Sequence, residues 1–371
     1  MKLFRQRLGK FLRILAPLGL SVALAACVSA PSPRPAPRAQ VPAPRPSVPT
    51  PRPTAPATQR STALSPELGG VIRDLWKVFP GRSGIAVLAI DGGGTAGERM
   101  DEFFPQQSVS KLWVAMTVLE QVDQGKLRLD QNVRITRDDL AVFHQPIRAR
   151  VLANGEVNET IGNLLEIAIA TSDNTANDSL LRTAGGPEAV RAFISKHNLG
   201  RIRFGPGERL LQSATAGMTW KQEYALGDNF FTARRALPYD QRKAALDRYL
   251  ADPPDGASPG AIAAALGQLA KGELLSPQST RLLLGILERT KTGPNRLKAG
   301  VPSDWVFIHK TGTGQELSPV STGYNDIGIM TAPNGSRYAV VVMLGDTTAP
   351  IPDRMVFMQS ISRAIASYHR R

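Results

Sequence analysis

A proline-rich segment near the N-terminus limits which part of the chain can form a folded core. Eleven prolines lie between Pro31 and Pro56, interleaved with Ala, Arg, Ser and Thr. Such a composition favours extended polyproline II over a packed core, so residues 27–63 are predicted to be a disordered Pro/Arg-rich tether. At ~3.1 Å per residue, this tether would reach roughly 100 Å. The globular domain is therefore predicted to occupy residues 64–371.

The segment before the tether has the composition of a secretion signal. Basic residues 1–13 precede an apolar run, Ile14 to Ala26, that is too short to span a bilayer. The run ends in Leu24-Ala25-Ala26-Cys27, and Cys27 is the only cysteine of the chain. This ending resembles a bacterial lipobox. The resemblance implies a signal peptide over residues 1–26, a lipid anchor on Cys27 and a domain facing the periplasm, with Val28 favouring the outer membrane. The alternative is a plain secretory signal followed by an unmodified cysteine.

Positive charge is concentrated in the same N-terminal region. Residues 1–66 carry ten basic and no acidic residues, which leaves only +4 of the net charge of +14 for the rest of the chain. A nearly neutral domain lacks the basic surface of a nucleic-acid-binding protein, so no nucleic-acid partner is expected. One cysteine excludes a disulfide framework, and the four histidines lack the spacing of a zinc site. We expect a monomer without a metal or another cofactor.

Apolar runs near both ends of the globular part predict strands, and the region between them predicts helices. Gly84–Ile90 (GIAVLAI) and Tyr338–Leu344 (YAVVVML) are typical of buried strands. Terminal helices are predicted over Leu64–Phe79 and Arg354–Tyr368, and a helical subdomain over about 105–290. This order predicts an α/β (α+β) fold, in which both termini build one antiparallel sheet that terminal helices cover.

The first candidate catalytic motif is Ser108-Val109-Ser110-Lys111, at the start of an apolar helix. A spacing of three residues places the Ser108 hydroxyl and the Lys111 ammonium on the same helix face. The helix dipole favours a developing alkoxide and disfavours a charged lysine, so a partly neutral Lys111 could accept the Ser108 proton. Ser110 is the competing nucleophile, but it lacks a lysine three residues later.

Two further motifs carry polar groups suited to acyl transfer. In Ser172-Asp173-Asn174, the hydroxyl could relay a proton to a leaving nitrogen and Asn174 could bind substrate; a helix cap is the structural alternative. In Lys310-Thr311-Gly312-Thr313-Gly314, a lysine, two hydroxyls and strand glycines suit close binding of a carboxylate, and a basic edge turn is the alternative. The amides of Ser108 and Thr313 could form an oxyanion hole.

The three motifs, in this order and with these gaps, resemble the serine penicillin-recognising enzymes, whose S-x-x-K, S-D-N and K-T-G elements meet in one cleft. Residues 83–345 are most similar to class A β-lactamases, with Phe104-Pro105 before the nucleophile and Gly185-Gly186-Pro187 beyond the second motif as further matches. The resemblance implies a five-stranded antiparallel sheet with an inserted all-helical subdomain. It also implies a serine hydrolase that acylates Ser108 with a β-lactam or a peptidoglycan-like substrate.

The same resemblance assigns two residues outside the motifs. Glu208 lies 36 residues after Ser172, where class A enzymes carry the acid that activates the deacylating water, although Gln212 replaces the family's asparagine. Phe143, 35 residues after Ser108, matches an aromatic residue at the cleft entrance. A surface position for Glu208 and a core position for Phe143 are the structural alternatives. Roughly residues 213–252 form an insertion relative to the family.

Two other functions remain open on the sequence. A peptidoglycan DD-peptidase or transpeptidase would use Ser108 on D-Ala-D-Ala, and a poorly aligned Glu208 would favour it. A cell-wall or β-lactam binding protein would acylate once and stall. The fate of the acyl-enzyme distinguishes both from a β-lactamase.

Overall fold

Helices are the most abundant elements of residues 64–369, the part of the chain that this computed structural model describes. The predicted signal peptide, Cys27 and the tether lie outside these residues. The described helices are α1 (Pro66–Val78), α2 (Lys111–Asp123), α3 (Arg148–Asn154), α4 (Ile161–Ala170), α5 (Asn174–Thr183), α6 (Pro187–Lys196), α7 (Glu208–Thr215), α8 (Asn229–Ala236), α9 (Tyr239–Ala251), α10 (Pro259–Lys271), α11 (Pro277–Glu288) and α12 (Ile351–Ser367). In this part of the chain, no helix combines the length and apolar character needed to cross a membrane.

The strands come from both ends of the domain and from short pairings between helices. They are β1 (Ser83–Ala89), β2 (Thr95–Glu98), β3 (Phe104–Pro105), β4 (Asn132–Thr136), β5 (Glu156–Thr160), β6 (Gly256–Ala257), β7 (Val306–Thr313), β8 (Glu316–Leu317), β9 (Val320–Thr331) and β10 (Arg337–Thr347). The main sheet is antiparallel in the order β2-β1-β10-β9-β7, and the short β8 pairs with β9. The five-stranded path built from both termini confirms the predicted fold.

Each face of this sheet buries a separate set of side chains. Ile85 and Val87 of β1 pack with the terminal helices, whereas Ala86 between them belongs to the core shared with the helical subdomain. The partner strand β10 alternates in the same way, with Val340 on the first face and Val341 on the second. A strand buried on both faces needs apolar residues at every position, which is why β1 and β10 are continuous apolar runs.

Helix α2 lies at the centre of the helical subdomain. Its first nine residues, Lys111–Leu119, are all buried, and it packs against α4, α5, α6 and α11. Trp113 is completely buried, and its Nε1 donates a hydrogen bond of 2.5 Å to Gln106 Oε1. Because α2 begins at Lys111, the packing of this apolar helix carries a lysine into the protein interior.

The subdomain is helical but not all-helical, which corrects the sequence-based prediction. β4 and β5 form an antiparallel hairpin in which Val133, Ile135, Val157 and Glu159 alternate inward. The alternation of Asn132–Thr136 has the period of a half-buried strand, and it overrides the helical character of the surrounding sequence.

Residues 213–252, the predicted insertion, lead back to the segment that precedes the nucleophile. α8 and α9 lie within residues 213–252, and α9 buries Ala245, Leu246 and Tyr249. The following β6 pairs with β3, which places Ala257 opposite Phe104. The insertion is therefore anchored beside the turn that carries Ser108.

Candidate active site

Ser108 lies in a short 3₁₀ turn, Gln107–Ser110, that leads directly into α2, close to its predicted place at the start of the helix. Gln107 has a φ of +53°, so the turn contains a left-handed backbone conformation that residues other than glycine rarely adopt. Ser110 donates a hydrogen bond of 2.8 Å to Gln107 O, which closes the turn. The Lys111 Nζ donates to the hydroxyl of Ser108, whereas the hydroxyl of Ser110 is bonded to Gln107 O, so the geometry favours Ser108 as the nucleophile.

Lys111 joins three parts of the site. Its buried Nζ donates to Ser108 Oγ at 2.8 Å and to Asn174 Oδ1 at 2.9 Å, and it forms an ion pair with Glu208. An ammonium has three protons to donate, and these three acceptors satisfy all of them. The first and second predicted motifs and the predicted acid therefore meet at one nitrogen.

The second motif lies at the junction of α4 and α5. Ser172 has a φ of +62°, and Asp173 caps α5 because its Oδ1 accepts from Ala176 N at 2.9 Å. Asp173 Oδ2 also accepts from Ile147 N at 2.7 Å. The helix cap proposed as the structural alternative is present, but Asp173 provides it. Asn174 remains free to contact Lys111, and Ser172 to contact Lys310.

Lys310 lies on β7 and faces the second motif. Its Nζ donates to Ser172 Oγ at 2.9 Å and to Thr311 O at 3.0 Å. Burial, followed by the nearby charge of Lys111, holds the pKa of Lys310 well below its usual value. An ammonium with a lowered pKa gives up a proton more readily, so the Lys310–Ser172 contact is suited to proton transfer.

The third motif packs directly against the nucleophile turn. A Cβ added at Gly312 would lie 2.4 Å from Gln106 O, so only glycine allows β7 to approach this closely. Asn325 of β9 holds the same contact, because its Nδ2 donates to Pro105 O at 2.8 Å and to Gln106 O at 3.0 Å. The turn with Ser108 is thereby fixed beside the strand that ends at Thr313.

Arg296 is a site residue that sequence reasoning did not select. Its buried guanidinium donates to Thr313 Oγ1 at 2.6 Å and to Gly312 O at 2.9 Å, and lies 3.7 Å from the ring centroid of Tyr324. Burial lowers the pKa of Arg296. No local pattern connects Arg296 with Thr313, because their contact depends on how the loop before β7 folds back. Arg296 adds a second buried cation to the predicted carboxylate site.

Glu208 is the first residue of α7 and is 6% exposed, so it is not a surface carboxylate. Its backbone N–H donates to Asp178 Oδ1 at 3.1 Å, which fixes the start of α7. One carboxylate oxygen pairs with Lys111, and the other accepts from Gln212 Nε2 at 3.3 Å. The predicted acid is therefore within reach of Ser108 through Lys111.

Gln212 connects Glu208 to the nucleophile turn and to Gln315, the residue that follows the third motif. Its Nε2 donates to Gln107 Oε1 at 3.1 Å, and its Oε1 accepts from Gln315 Nε2 at 3.0 Å. The amide that replaces the family's asparagine is thus held from two sides.

The insertion contributes a further buried contact that the sequence analysis missed. Gln107 Nε2 donates to Tyr249 Oη at 2.5 Å, Tyr249 Oη donates to Asp255 Oδ1 at 3.0 Å, and Asp255 Oδ2 accepts from Gln107 N at 2.8 Å. Burial raises the pKa of Asp255 to about 6 and that of Tyr249 well above its usual value. This closed ring of hydrogen bonds, the Gln107–Tyr249–Asp255 ring, clamps the backbone next to Ser108.

Phe143 is half-buried, with a φ of +63°. Its ring lies edge-on to Phe230 at 4.8 Å and tilted against Phe231 at 5.6 Å, so it packs on the insertion. The preceding carbonyl, Val142 O, accepts from Asn174 Nδ2 at 2.7 Å. The Phe143 loop is therefore joined to the second motif, and Phe143 is neither a core residue nor an isolated surface ring.

Within residues 64–369, no group of three or more His, Cys, Asp or Glu side chains is placed to hold a metal ion.

Comparison with known proteins identifies the family of the chain. The model of the β-lactamase enzyme family matches residues 67–369. The chain belongs to the β-lactamase enzyme family. The matched range spans both terminal helices, the sheet and the helical subdomain.

Individual relatives place the chain among the class A enzymes. It is 28% identical over 299 residues to β-lactamase VEB-1 of Pseudomonas aeruginosa, covering 80% of this chain and 89% of that protein. It is 30% identical over 250 residues to β-lactamase SME-1 of Serratia marcescens, covering 65% and 70%. Among solved structures, an ancestral class A β-lactamase is 31% identical with a TM-score of 0.63, over 81% of this chain and 99% of that one. The TLA-1 extended-spectrum β-lactamase is 25% identical with a TM-score of 0.67, over 83% and 99%.

Proposed function

We propose that the protein is a serine β-lactamase that opens β-lactams through an acyl-enzyme on Ser108 and then hydrolyses that ester. One observation carries the proposal: the Lys111 ammonium contacts Ser108, Asn174 and Glu208 at once. This contact joins the nucleophile to both a substrate-binding amide and a carboxylate base. Membership of the β-lactamase enzyme family supports the same conclusion.

Acylation begins with attack of Ser108 Oγ on the lactam carbonyl. Lys111 is the basic group in direct contact with that oxygen, and it can take the Ser108 proton if its own proton passes to Glu208. The backbone N–H groups of Ser108 and Thr313 are assigned to the oxyanion. Their positions are set by the close approach of Gly312 to the nucleophile turn.

Ring opening needs a proton on the lactam nitrogen. Ser172 Oγ is the donor, and Lys310, whose Nζ lies 2.9 Å from it, stabilises the charge that forms as the proton leaves. Ser172 regains a proton as Lys111 and Glu208 return to their resting charges. The proton that Ser108 loses therefore ends on the nitrogen, and no charge remains unbalanced.

Substrate binding uses the rest of the cleft. Thr311, Thr313 and the cations of Lys310 and Arg296 would hold the substrate carboxylate, with Gly312 allowing close contact. Asn174 would bind the acylamido group.

Deacylation is the step that separates a β-lactamase from a DD-peptidase or a binding protein. An ester on Ser108 needs an activated water, and Glu208 is a buried carboxylate placed at the same lysine as the nucleophile. A poorly aligned Glu208 would have favoured the other two functions. Its ion pair with Lys111 and its contact with Gln212 support hydrolysis instead.

The cellular location is a separate proposal, supported by the sequence alone. The lipobox-like Leu24-Ala25-Ala26-Cys27 would anchor the mature protein to a bacterial envelope membrane, with the tether holding the enzyme on the periplasmic side. Cys27→Ser should abolish metabolic labelling with palmitate, and globomycin should make the precursor accumulate. Cleavage elsewhere, with release of a lipid-free protein, would contradict the anchor.

A direct test of the function is hydrolysis of a chromogenic cephalosporin by the full chain. Wild type should turn over many equivalents, Ser108→Ala should be inactive, and Ser110→Ala should keep most of the activity. Ser110→Ala is the matched control, because both serines lie in the same turn. Release of only one equivalent by wild type would replace the β-lactamase with a penicillin-binding protein.

A further inference from the structure

Helix α8 joins two segments that flank the cleft, the Phe143 loop and the chain after the third motif. On one side, the Phe231 ring packs against Phe143 with centroids 5.6 Å apart. On the other side, Arg234 Nη2 donates a hydrogen bond of 2.8 Å to Glu316 O, two residues beyond the third motif. A substrate group that extends outward between these two sides must therefore pass α8.

Three arginines surround a pocket beside α8. The pocket has a volume of about 330 Å³ and is lined by Arg234 and Arg235 of α8, by Arg242 of α9 and by Glu316 of β8. Glu316 is its one acidic residue, and that carboxylate lies 3.4 Å from Arg354. The pocket therefore carries a positive charge that its own lining does not neutralise.

The arginine side chains have unused hydrogen-bonding capacity. Within residues 64–369, none of Arg234, Arg235 and Arg242 forms an ion pair with a carboxylate, whereas nearby Lys243 pairs with Asp247 at 2.6 Å. The Nε atoms of Arg234 and Arg242 are buried without a hydrogen-bond partner. Burial and the charge of Arg242 lower the pKa of Arg234. Arg234 and Arg242 are partly buried cations without a carboxylate partner, which is costly, and a bound anion would relieve that cost.

The position of the pocket selects the kind of anion. This step rests on the proposed function, in which Asn174 binds the acylamido group and the β7 strand binds the ring carboxylate. The acyl side chain then leaves the cleft between the Phe143 loop and β8, which are the two segments that α8 joins. Its far end is the part of the substrate that can reach the arginines.

We propose that Arg234, Arg235 and Arg242 form a subsite for a carboxylate at the end of the substrate's acyl side chain. The insertion thereby adds an anion-binding group to the cleft and gives the enzyme a preference for β-lactams with an acidic acyl side chain.

The test uses two penicillins that differ only in charge. One carries a glutaryl side chain with a free terminal carboxylate, and the other carries the same chain ending in a primary amide. Wild type should hydrolyse the acid with a kcat/KM about tenfold higher, which is the worth of one charge-assisted hydrogen bond in a partly buried site. In Arg234→Gln/Arg242→Gln, the preference should vanish while hydrolysis of the amide stays within about twofold. Arg248→Gln, an exposed arginine of α9, is the control for the change in charge and should keep the preference.

The remaining outcomes distinguish failure of the subsite from failure of the proposed function. Hydrolysis of both penicillins at equal rates by wild type, or a preference that survives the double substitution, overturns the subsite and leaves the proposed function intact. Hydrolysis of neither penicillin overturns the proposed function itself. If the double variant does not fold, sulfate added to wild type decides: selective inhibition of the acid substrate supports the subsite, and equal or absent inhibition refutes it. Sulfate-dependent thermal stabilisation without any preference for the acid would assign the pocket to a free anion and overturn the side-chain assignment.

Discussion

The buried carboxyl group of Asp255 makes stability depend on pH in a direction opposite to that of a paired surface acid. Asp255 is 1% exposed and belongs to the Gln107–Tyr249–Asp255 ring. Burial raises its pKa from 3.8 to about 6. The folded state therefore binds this proton more tightly than the unfolded state, and stability should fall as pH rises from about 4 to about 6.

The size of the effect follows from the shift. A raise of about 2 pKa units corresponds to about 3 kcal/mol between the two protonation states. This stability is fully present below pH 4 and is lost once the pH exceeds the folded-state pKa. Asp255→Asn removes the titration. The free energy of unfolding of the variant, relative to wild type, should therefore rise by about 3 kcal/mol between pH 4 and pH 7.5.

Urea denaturation of both proteins across this pH range measures the effect. The measured quantity is how the difference in unfolding free energy between variant and wild type changes with pH. The altered hydrogen bond to Tyr249 shifts this difference by a constant amount that does not vary with pH. Asp178, whose pKa burial also raises to about 6, is present in both proteins and cancels in the comparison. Asp304→Asn, at an exposed position, is the control and should give a flat difference. A flat or falling difference for Asp255→Asn would refute the reasoning.

Three further predictions concern single side chains. Lys310→Ala should slow acylation by a fluorescent penicillin about 10²-fold or more, since it removes the cation beside Ser172, and an unchanged labelling rate would contradict that role. Arg296→Ala should raise KM for a cephalosporin more than it lowers kcat, because its contact with Thr313 serves carboxylate binding; a change in kcat alone would count against it. Trp113→Phe should cost about 2–4 kcal/mol in urea denaturation, because it leaves Gln106 Oε1 buried without a donor and opens a cavity, and a loss below 1 kcal/mol would show that the core adjusts.

Local patterns predicted the central strands β1 and β10, and they singled out the three motifs. β1 and β10 are continuous apolar runs because both faces of the sheet are covered, so their positions are visible in the sequence. Ser108 and Lys111 lie three residues apart, and their contact needs only the first turn before α2. Only the family resemblance predicted that Ser108 and Lys111 meet Ser172 and Lys310. Sequence periodicity cannot predict a contact such as that between Ser172 and Lys310, which lie 138 positions apart.

The parts of the site that escaped prediction depend on distant contacts between ordinary polar residues. Gln107 bonds to Tyr249 over 142 positions, and Arg296 bonds to Thr313 over 17. Glutamine, tyrosine and arginine are common on protein surfaces. Their presence in a sequence therefore does not indicate a buried contact, which only the folded structure shows. The length of residues 213–252 predicted an insertion, but it could not predict that α8 contacts Phe143 and Glu316, because both contacts depend on the folded arrangement.

The central claim is that Glu208 releases the acyl-enzyme, and intact-protein mass spectrometry after mixing with benzylpenicillin tests it directly. Removing Glu208 takes away the anion paired with the buried Lys111 ammonium, and burial without a counter-charge favours the amine form that can accept the Ser108 proton. Glu208→Ala should therefore acylate and hold a penicilloyl adduct on Ser108, with turnover about 10²–10⁴-fold below wild type. Wild type and the exposed-site control Glu223→Ala should show no lasting adduct. An adduct that persists equally in wild type and Glu208→Ala would contradict the account and identify a penicillin-binding protein.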